Sequence, residues 1–199
     1  MRDITLFCED SFHEKFLDAL LRRFAEEWQI PVNPRFLSSQ GGLPHMHREF
    51  RDFLRDLGRD RQSPPDGVIV VVDANCQRYH DRRNLLHNAL QHYPQFEPLV
   101  SYAIPDPHIE RWMMADPRAF QTVFGRGCTT PAVKCAKDQY KRLLRREIRD
   151  SGIEAPLGGQ EFAEDIVMAM DLAHVETREE SLGRFFRDLR GLFNRWRNR

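Results

Sequence analysis

The stretch VIVVVDAN, residues 68–75, decides the fold prediction for this chain. Five β-branched residues in an unbroken run predict a strand that is buried on both faces, and such strands lie at the centre of parallel sheets. We expect alternate side chains, beginning with Val68, to face one helical layer and the others, beginning with Ile69, to face the opposite layer. The strand ends at an acidic residue, Asp73.

Upstream of this strand, residues 3–28 predict a strand, a tight turn and a helix. The strand covers residues 3–8 and is followed by two acidic residues, Glu9 and Asp10. Ser11, with Glu14 three residues later, forms the pattern of a capping box, in which each side chain satisfies a backbone amide at the helix start. Apolar residues then recur at helical spacing to the end of the segment.

The alternation of strands and helices continues downstream. We predict a weak strand over 31–38, helices over 44–58 and 79–92, and a strand over 99–104. Asp106 and Pro107 then fit the N-cap and first position of a further helix. This order predicts an α/β domain over residues 1–120, built on a mainly parallel sheet with flanking helices.

The rest of the chain, residues 121–199, predicts a helical extension that packs on this domain. The candidate helices are 131–150, 159–173 and 178–197. Thr177 and Glu180 fit a capping pattern for the last of them.

Composition excludes several classes of protein. Of its 199 residues, 41% are hydrophobic and 30% are charged, fractions that are typical of soluble globular proteins and not of disordered ones. The 30 basic and 30 acidic side chains balance, so the net charge indicates no class of partner. The sequence lacks an apolar run of membrane-spanning length and the features of a signal peptide, so we expect a cytoplasmic protein. Its four cysteines have no CxxC spacing, which argues against a zinc ribbon and predicts reduced core thiols.

Acidic residues follow three of the predicted strands. Glu9 follows the first strand, Asp73 follows the valine-rich strand, and Glu110 lies in the first helical turn after the last strand. Because functional groups collect beyond the carboxyl ends of parallel strands, we expect these carboxylates to converge on neighbouring strands. The amide of Asn75 joins them if the chain stays extended there. Such hard oxygen ligands predict Mg²⁺ or Mn²⁺, although each acid alone also fits a capping or turn role.

Several segments together resemble a known family. A first strand that ends in Glu9, with a later valine-rich strand that ends in Asp-Ala-Asn, resembles the Toprim domain of topoisomerases, primases and OLD-type nucleases. The segment IPDPHIERWMMAD, residues 104–116, is similar to the Glu-x-Trp-x-x-x-Asp helix of small Toprim-like proteins from prokaryotic defence islands. The segment SLGRFF, residues 181–186, resembles their C-terminal helix. The chain departs from the family at Asp10, where Gly is usual, and at Asn75, where the family has a second Asp.

The resemblance implies a metal-dependent nuclease that hydrolyses phosphodiester bonds in DNA or RNA. It implies Glu9, Asp73 and Glu110 as catalytic and metal-binding carboxylates, with Glu9 as the candidate general base and Asn75 as a further ligand. Since such proteins are often encoded beside ATPases in phage-defence systems, it also implies an antiviral role with an ATPase partner. The missing second Asp leaves an alternative open, a non-catalytic Toprim-like subunit that docks on the ATPase.

A basic segment in the helical part predicts contact with nucleic acid. Residues 134–149 hold seven basic side chains and two acidic ones. A basic helix beside an acidic metal site suits a polyanion, because it supplies the attraction for phosphate that the acids lack. The candidate nucleic-acid-binding residues are Lys141, Arg142, Arg145, Arg146 and Arg149, of which the four arginines share one predicted helix face. The alternative is a solvated surface helix.

Overall fold

The computed structural model describes residues 1–38, 41–59, 64–75, 77–131, 136 and 138–198. Within these residues, four strands form one sheet in which all neighbours run parallel, in the order β2-β1-β3-β4. The strands are β1 (Arg2–Cys8), β2 (Val32–Ser38), β3 (Gly67–Val71) and β4 (Val100–Ala103). The predicted class, an α/β fold with a parallel sheet flanked by helices, is therefore confirmed. The weak second strand is present and lies at one edge of the sheet.

Helices cover both faces of the sheet. In chain order they are α1 (Ser11–Trp28), α2 (Gly42–Arg59), α3 (Tyr79–Leu90), α4 (Ile109–Met113), α5 (Pro117–Phe124), α6 (Gln139–Arg149), α7 (Ala163–Ala169), α8 (Leu172–Arg178) and α9 (Glu180–Arg197). The helix predicted over 159–173 is wrong in extent, because the chain leaves helical geometry at Met170, where ψ is 138°. Asp171 then caps a separate helix, α8, by accepting a hydrogen bond from the amide of His174 (3.0 Å).

The valine-rich strand separates two hydrophobic layers, as predicted. Val68, Val70 and Val72 pack with the inner faces of α2 and α3. Ile69 and Val71 pack with α1 and with the helices of the C-terminal part. All five side chains are at most 1% exposed, so the strand is buried on both faces.

The C-terminal helices share their hydrophobic core with α1 and α4. Trp112 stacks on Phe185, with ring centroids 6.0 Å apart and planes inclined by 13°. Its indole nitrogen donates a hydrogen bond to Ser181 Oγ (2.8 Å). Phe24 of α1 packs against Phe193 of α9. These contacts hold α4, and the loop before it, against the edge of the sheet where the acids were predicted.

Two predicted helix caps are wrong by one residue or more. The N-cap of α1 is Asp10 instead of Ser11, and its carboxylate accepts hydrogen bonds from the amides of the second and third helical residues (2.9 and 3.1 Å). The N-cap of α9 is Glu179, directly before Glu180, so the capping pattern that starts at Thr177 is not used. The strand ends at Cys8 as predicted, but the helix begins one residue earlier than the capping-box pattern requires, at Ser11, which makes Asp10 the residue whose carboxylate meets the first amides.

The predicted start of the helix after β4 is also wrong. Asp106 and Pro107 were expected to open it, but α4 begins at Ile109. The chain before it stays alongside the segment that follows β3, since the amide of Ala74 donates to the carbonyl oxygen of Pro105 (2.8 Å) and the next amide donates to that of Pro107 (2.9 Å). These bonds prolong the strand pairing and delay the helix by two residues.

The cysteines can be compared with their predicted role as core thiols at two positions. Cys8 and Cys128 are buried and are not joined in disulfides. Cys76 and Cys135 lie outside the described residues.

Candidate functional site

The carboxyl ends of β1, β3 and β4 bring the predicted acids to one edge of the sheet. Asp73 follows β3, and its backbone amide donates to the carboxylate of Glu9, which follows the neighbouring β1 (3.4 Å). The amide of Ile109 donates to Asp73 Oδ1 (3.0 Å). That bond fixes the start of α4, which carries Glu110, against the end of β3.

Asp73, His108 and Glu110 form a group that could hold a metal ion. Their ligating atoms all lie within 4.8 Å of one another. The side chains of Asp73 and His108 are each 15% exposed, and Glu110 is buried, so few water molecules compete for these atoms. Sequence reasoning identified the two acids and missed the histidine. The signal in the sequence was the position of His108, two residues before Glu110 in the segment that follows the last predicted strand.

Two other predicted ligands lie differently. Glu9 contacts the backbone of Asp73 but is not one of the three residues whose ligand atoms are mutually close. The role of Asn75 depended on an extended chain, whereas its φ is 55°, in the left-handed region. Its side-chain amide donates to the carbonyl oxygen of Asp73 (3.4 Å), and the residue lines a neighbouring cavity.

A buried histidine supports Asp73 from the side of α1. His13 Nε2 lies 3.1 Å from Asp73 Oδ1, and its Nδ1 lies 2.8 Å from Asp10 Oδ1. The imidazole is therefore held between two carboxylates, and its residue is fully buried. Sequence reasoning missed this residue, because a lone histidine on a mostly apolar helix face has no motif around it.

Burial and neighbouring charges separate the acids by pKa. Burial, followed by the charge of Asp73, raises the pKa values of both Glu9 and Glu110. Burial also acts to raise the pKa of Asp73, but the charge of His13 and the hydrogen bonds from His108 and His13 outweigh it and lower that pKa. Asp73 is thus the most persistent negative charge of the group, whereas the glutamates take up protons more readily.

The predicted basic helix contributes two of its residues to this site. A cavity of about 280 Å³ is lined by Glu110 together with Lys141 and Arg145 of α6. Arg142 and Arg146 line a separate cavity of about 550 Å³. The residues that were expected to act as one face therefore divide between two cavities, and only one of these adjoins the metal-capable group.

The remaining members of the basic segment add less. Arg149 lies 3.8 Å from Asp150, and its side chain is 78% exposed. The helix α6 begins at Gln139, and the other two lysines of the segment, Lys134 and Lys137, lie outside the described residues.

Comparison with known proteins gives a family but no activity. The family described as "Domain of unknown function (DUF4276)" matches residues 8–190. The chain belongs to the DUF4276 family. The match includes the three metal-capable residues and the basic helix. No curated protein and no solved structure matches this DUF4276 protein. Across the ranges that the structure describes, no helix combines the length and the apolar character needed to cross a membrane.

The His13 contacts predict a pH-dependent contribution to the stability of this DUF4276 protein. Burial alone would lower the pKa of His13, but the charge of Asp73 and the bonds to Asp10 and Asp73 raise it well above 6.5. The protonated imidazole therefore stabilises the fold fully below pH 6.5, the ordinary value, and this contribution is lost as the pH rises through the raised folded-state pKa.

The measurement is urea unfolding, in EDTA, of the wild type and of His13→Gln at pH values from below 6.5 to well above it. We expect the difference in unfolding free energy between the two proteins to be largest in the acidic part of the range and to shrink with rising pH. A difference that stays constant with pH would show that His13 contributes by packing alone.

Proposed function

We propose that this protein is a metal-dependent, Toprim-like nuclease that hydrolyses phosphodiester bonds in nucleic acid. One observation carries the proposal: the group formed by Asp73, His108 and Glu110 adjoins a cavity lined by Lys141 and Arg145. A cation bound by Asp73, His108 and Glu110, together with the cationic side chains that line the cavity, suits a substrate with a phosphate backbone.

The donor set fits a divalent cation. Two carboxylates and one imidazole would hold it, at a site where the surrounding side chains exclude most water. Of the two ions that the sequence predicts, Mn²⁺ fits this set better than Mg²⁺, because Mg²⁺ strongly prefers oxygen ligands. When bound, such an ion lowers the pKa of a coordinated water and shields the charge on the scissile phosphate.

The surrounding residues have distinct roles in this proposal. Glu9, whose pKa is raised mainly by burial, is positioned beside Asp73 to accept a proton from the attacking water. His13 holds Asp73 in one orientation through its Nε2 contact. Lys141 and Arg145 attract the phosphate groups of the substrate and position the backbone next to Glu110.

The direct test uses the wild-type protein. Labelled single-stranded and double-stranded DNA and RNA are incubated with Mn²⁺, Mg²⁺ or EDTA, and we expect cleavage only with a divalent ion and more of it with Mn²⁺. Crystals soaked in Mn²⁺ should show an anomalous peak among Asp73, His108 and Glu110. Absence of cleavage on every substrate would contradict the nuclease, and absence of the peak would contradict the metal site.

The division of the basic helix predicts unequal effects of two double variants. Lys141→Ala with Arg145→Ala should weaken nucleic-acid binding and reduce its salt dependence by about 1.4 to 1.8 in logarithmic slope, because each lost phosphate contact contributes about 0.7 to 0.9. The matched control is Arg142→Ala with Arg146→Ala on the same helix, which removes the same charge away from Glu110. Binding titrations at several salt concentrations measure both, and equal effects would contradict the assignment of the cavity.

A second candidate function is a non-catalytic Toprim-like subunit that docks on an ATPase partner, in the cytoplasm and within a phage-defence system. The observation that favours it is Asn75, which supplies no second carboxylate and donates its amide to the backbone of Asp73. A wild-type protein that is inert on DNA and RNA with both ions, yet binds an ATPase tightly, would support the docking subunit over the nuclease.

A further inference from the structure

A second, larger cavity is lined by chain neighbours of the metal-capable residues. Its volume is about 590 Å³. Chain neighbours of all three metal-capable residues form part of its wall: Asn75 lies two residues after Asp73, Pro107 directly precedes His108, and Arg111 directly follows Glu110. Since consecutive Cα atoms are about 3.8 Å apart, the backbone of these lining residues lies within about 4 to 8 Å of the backbone of the metal-capable residues.

The wall of this cavity holds more arginine than its own carboxylates neutralise. Four arginines and three carboxylates line it: Arg78, Arg111, Arg178, Arg184, Asp106, Glu179 and Glu180. Arg111 donates to Glu179 (2.7 Å), and Arg184 pairs with Glu180. With Asp106 included, four arginines against three carboxylates leave the wall an excess of one positive charge. The side chains of Arg78 and Arg178 are both exposed and have no ionic or hydrogen-bonded partner among the described residues.

The start of α3 adds to this positive character. Its N-cap is Arg78, no side chain caps its first turn, and its first residues, Tyr79 and His80, line the cavity. Backbone amides at a helix start carry partial positive charge and lack partners within the helix. The arginine pair and these amides therefore favour the same kind of ligand, a compact anion with several acceptor oxygens.

We propose that this arginine cavity, defined by Arg78, Arg178 and the start of α3, binds a phosphate group of the nucleic-acid strand that lies at the metal-capable group. The inference rests on the proposed nuclease function. The strand then crosses the edge of the sheet, with one part between Lys141 and Arg145 and the next in the arginine cavity. The ligand class is a nucleotide phosphate, either the terminal group of a strand or an internal phosphodiester.

The test measures binding in EDTA, so that it does not depend on cleavage. The probes are fluorescein-labelled oligo(dT) and oligo(U) of about 12 nucleotides, followed by fluorescence anisotropy. For Arg78→Ala with Arg178→Ala we expect a dissociation constant raised at least about tenfold, since hydrogen bonds from charged groups are lost. We also expect a salt slope reduced by about 1.4, because two single-strand phosphate contacts disappear. Arg78→Lys with Arg178→Lys, which keeps the charge, should retain most of the binding.

The matched control is Arg48→Ala with Arg51→Ala. These arginines are also exposed and unpaired among the described residues, but they line a separate groove between α2 and α3. If both double variants weaken binding equally, the effect is one of general charge and the arginine cavity is not a site. Competition by dTMP identifies a terminal phosphate as the ligand, whereas competition by unlabelled oligonucleotide alone identifies an internal one.

The outcomes separate this inference from the proposed function. If the wild-type protein fails to cleave, and Arg78→Ala with Arg178→Ala weakens binding, the phosphate site is supported and the nuclease function is contradicted. If the wild-type protein cleaves, and the double variant binds as tightly as the wild type, the nuclease function is supported and the phosphate site is contradicted.

Discussion

Asp73→Asn should reduce divalent-dependent cleavage by about three orders of magnitude while the protein still folds and binds nucleic acid. Asp73 is the only carboxylate of the metal-capable group whose pKa is lowered, so it supplies the most persistent negative charge for a cation. Loss of one preorganised electrostatic group typically costs a factor of about 10² to 10³ in rate. Asparagine keeps the volume and an oxygen that accepts the amide of Ile109, so little packing is lost.

The control for this variant is Asp56→Asn. Asp56 is an exposed carboxylate on α2, outside the site, and makes a surface pair with Arg55. The Asp56→Asn variant should cleave nucleic acid at the wild-type rate. Rates are compared at equal bound substrate, and thermal unfolding by circular dichroism checks the fold of both proteins. Hydrolysis by Asp73→Asn at the wild-type rate would remove Asp73 from the catalytic site and with it the proposed function.

The parts of this site that the sequence predicts are those carried by strand ends. A run such as residues 68–72 is so strongly apolar that it specifies a buried parallel strand, and the residue after it must lie at the carboxyl edge. Asp73 follows from that rule directly, and Glu110 from its place in the first helical turn after the next parallel strand. Their convergence also needs β3 and β4 to be neighbours, which the observed strand order provides.

The parts that the sequence does not predict depend on contacts between distant segments. His13 becomes a partner of Asp73 only because α1 packs over the end of β3, across 60 residues of chain. His108 joins the group because hydrogen bonds to the segment after β3 keep the chain extended as far as Pro107 and move the helix start. Local helix propensity predicts the start of that helix two residues too early, because it takes no account of hydrogen bonds to distant segments.

The division of the basic helix has a similar cause. Arginines spaced three and four residues apart share a helix face in isolation, and the sequence gives no information on what that face contacts. In the folded protein α6 lies between two cavities, so Arg145 and Arg146, although adjacent in sequence, line different ones. Which of them lies beside Glu110 is decided by the packing of α4 and the loop near Gly158 against α6, where Arg145 lies close to the glycine.

Gly183→Ala should lower the free energy of unfolding by about 2 to 3 kcal/mol, a typical cost of an added group in a packed contact. A Cβ atom at residue 183 would overlap the backbone carbonyl oxygen of Glu176 in α8. That carbonyl cannot easily retreat, because Glu176 is also held to α9 by two hydrogen bonds from Arg190 (2.7 and 2.6 Å). The added methyl group must therefore push α8 away from α9 and disturb the core around Phe185 and Trp112.

The same helix supplies the control, Gly191→Ala. A Cβ atom there meets only the end of the Arg195 side chain, at 3.6 Å, which is ordinary contact. Since glycine in a helix interior costs about 0.5 to 1 kcal/mol relative to alanine, this variant should be slightly more stable than the wild type. Urea unfolding followed by circular dichroism measures both proteins. The two substitutions are chemically identical, so opposite signs would isolate the close approach of α8 and α9 at Gly183 as the cause. Equal effects at the two positions would mean that α8 yields readily, and that the SLGRFF segment does not fix the spacing of these helices.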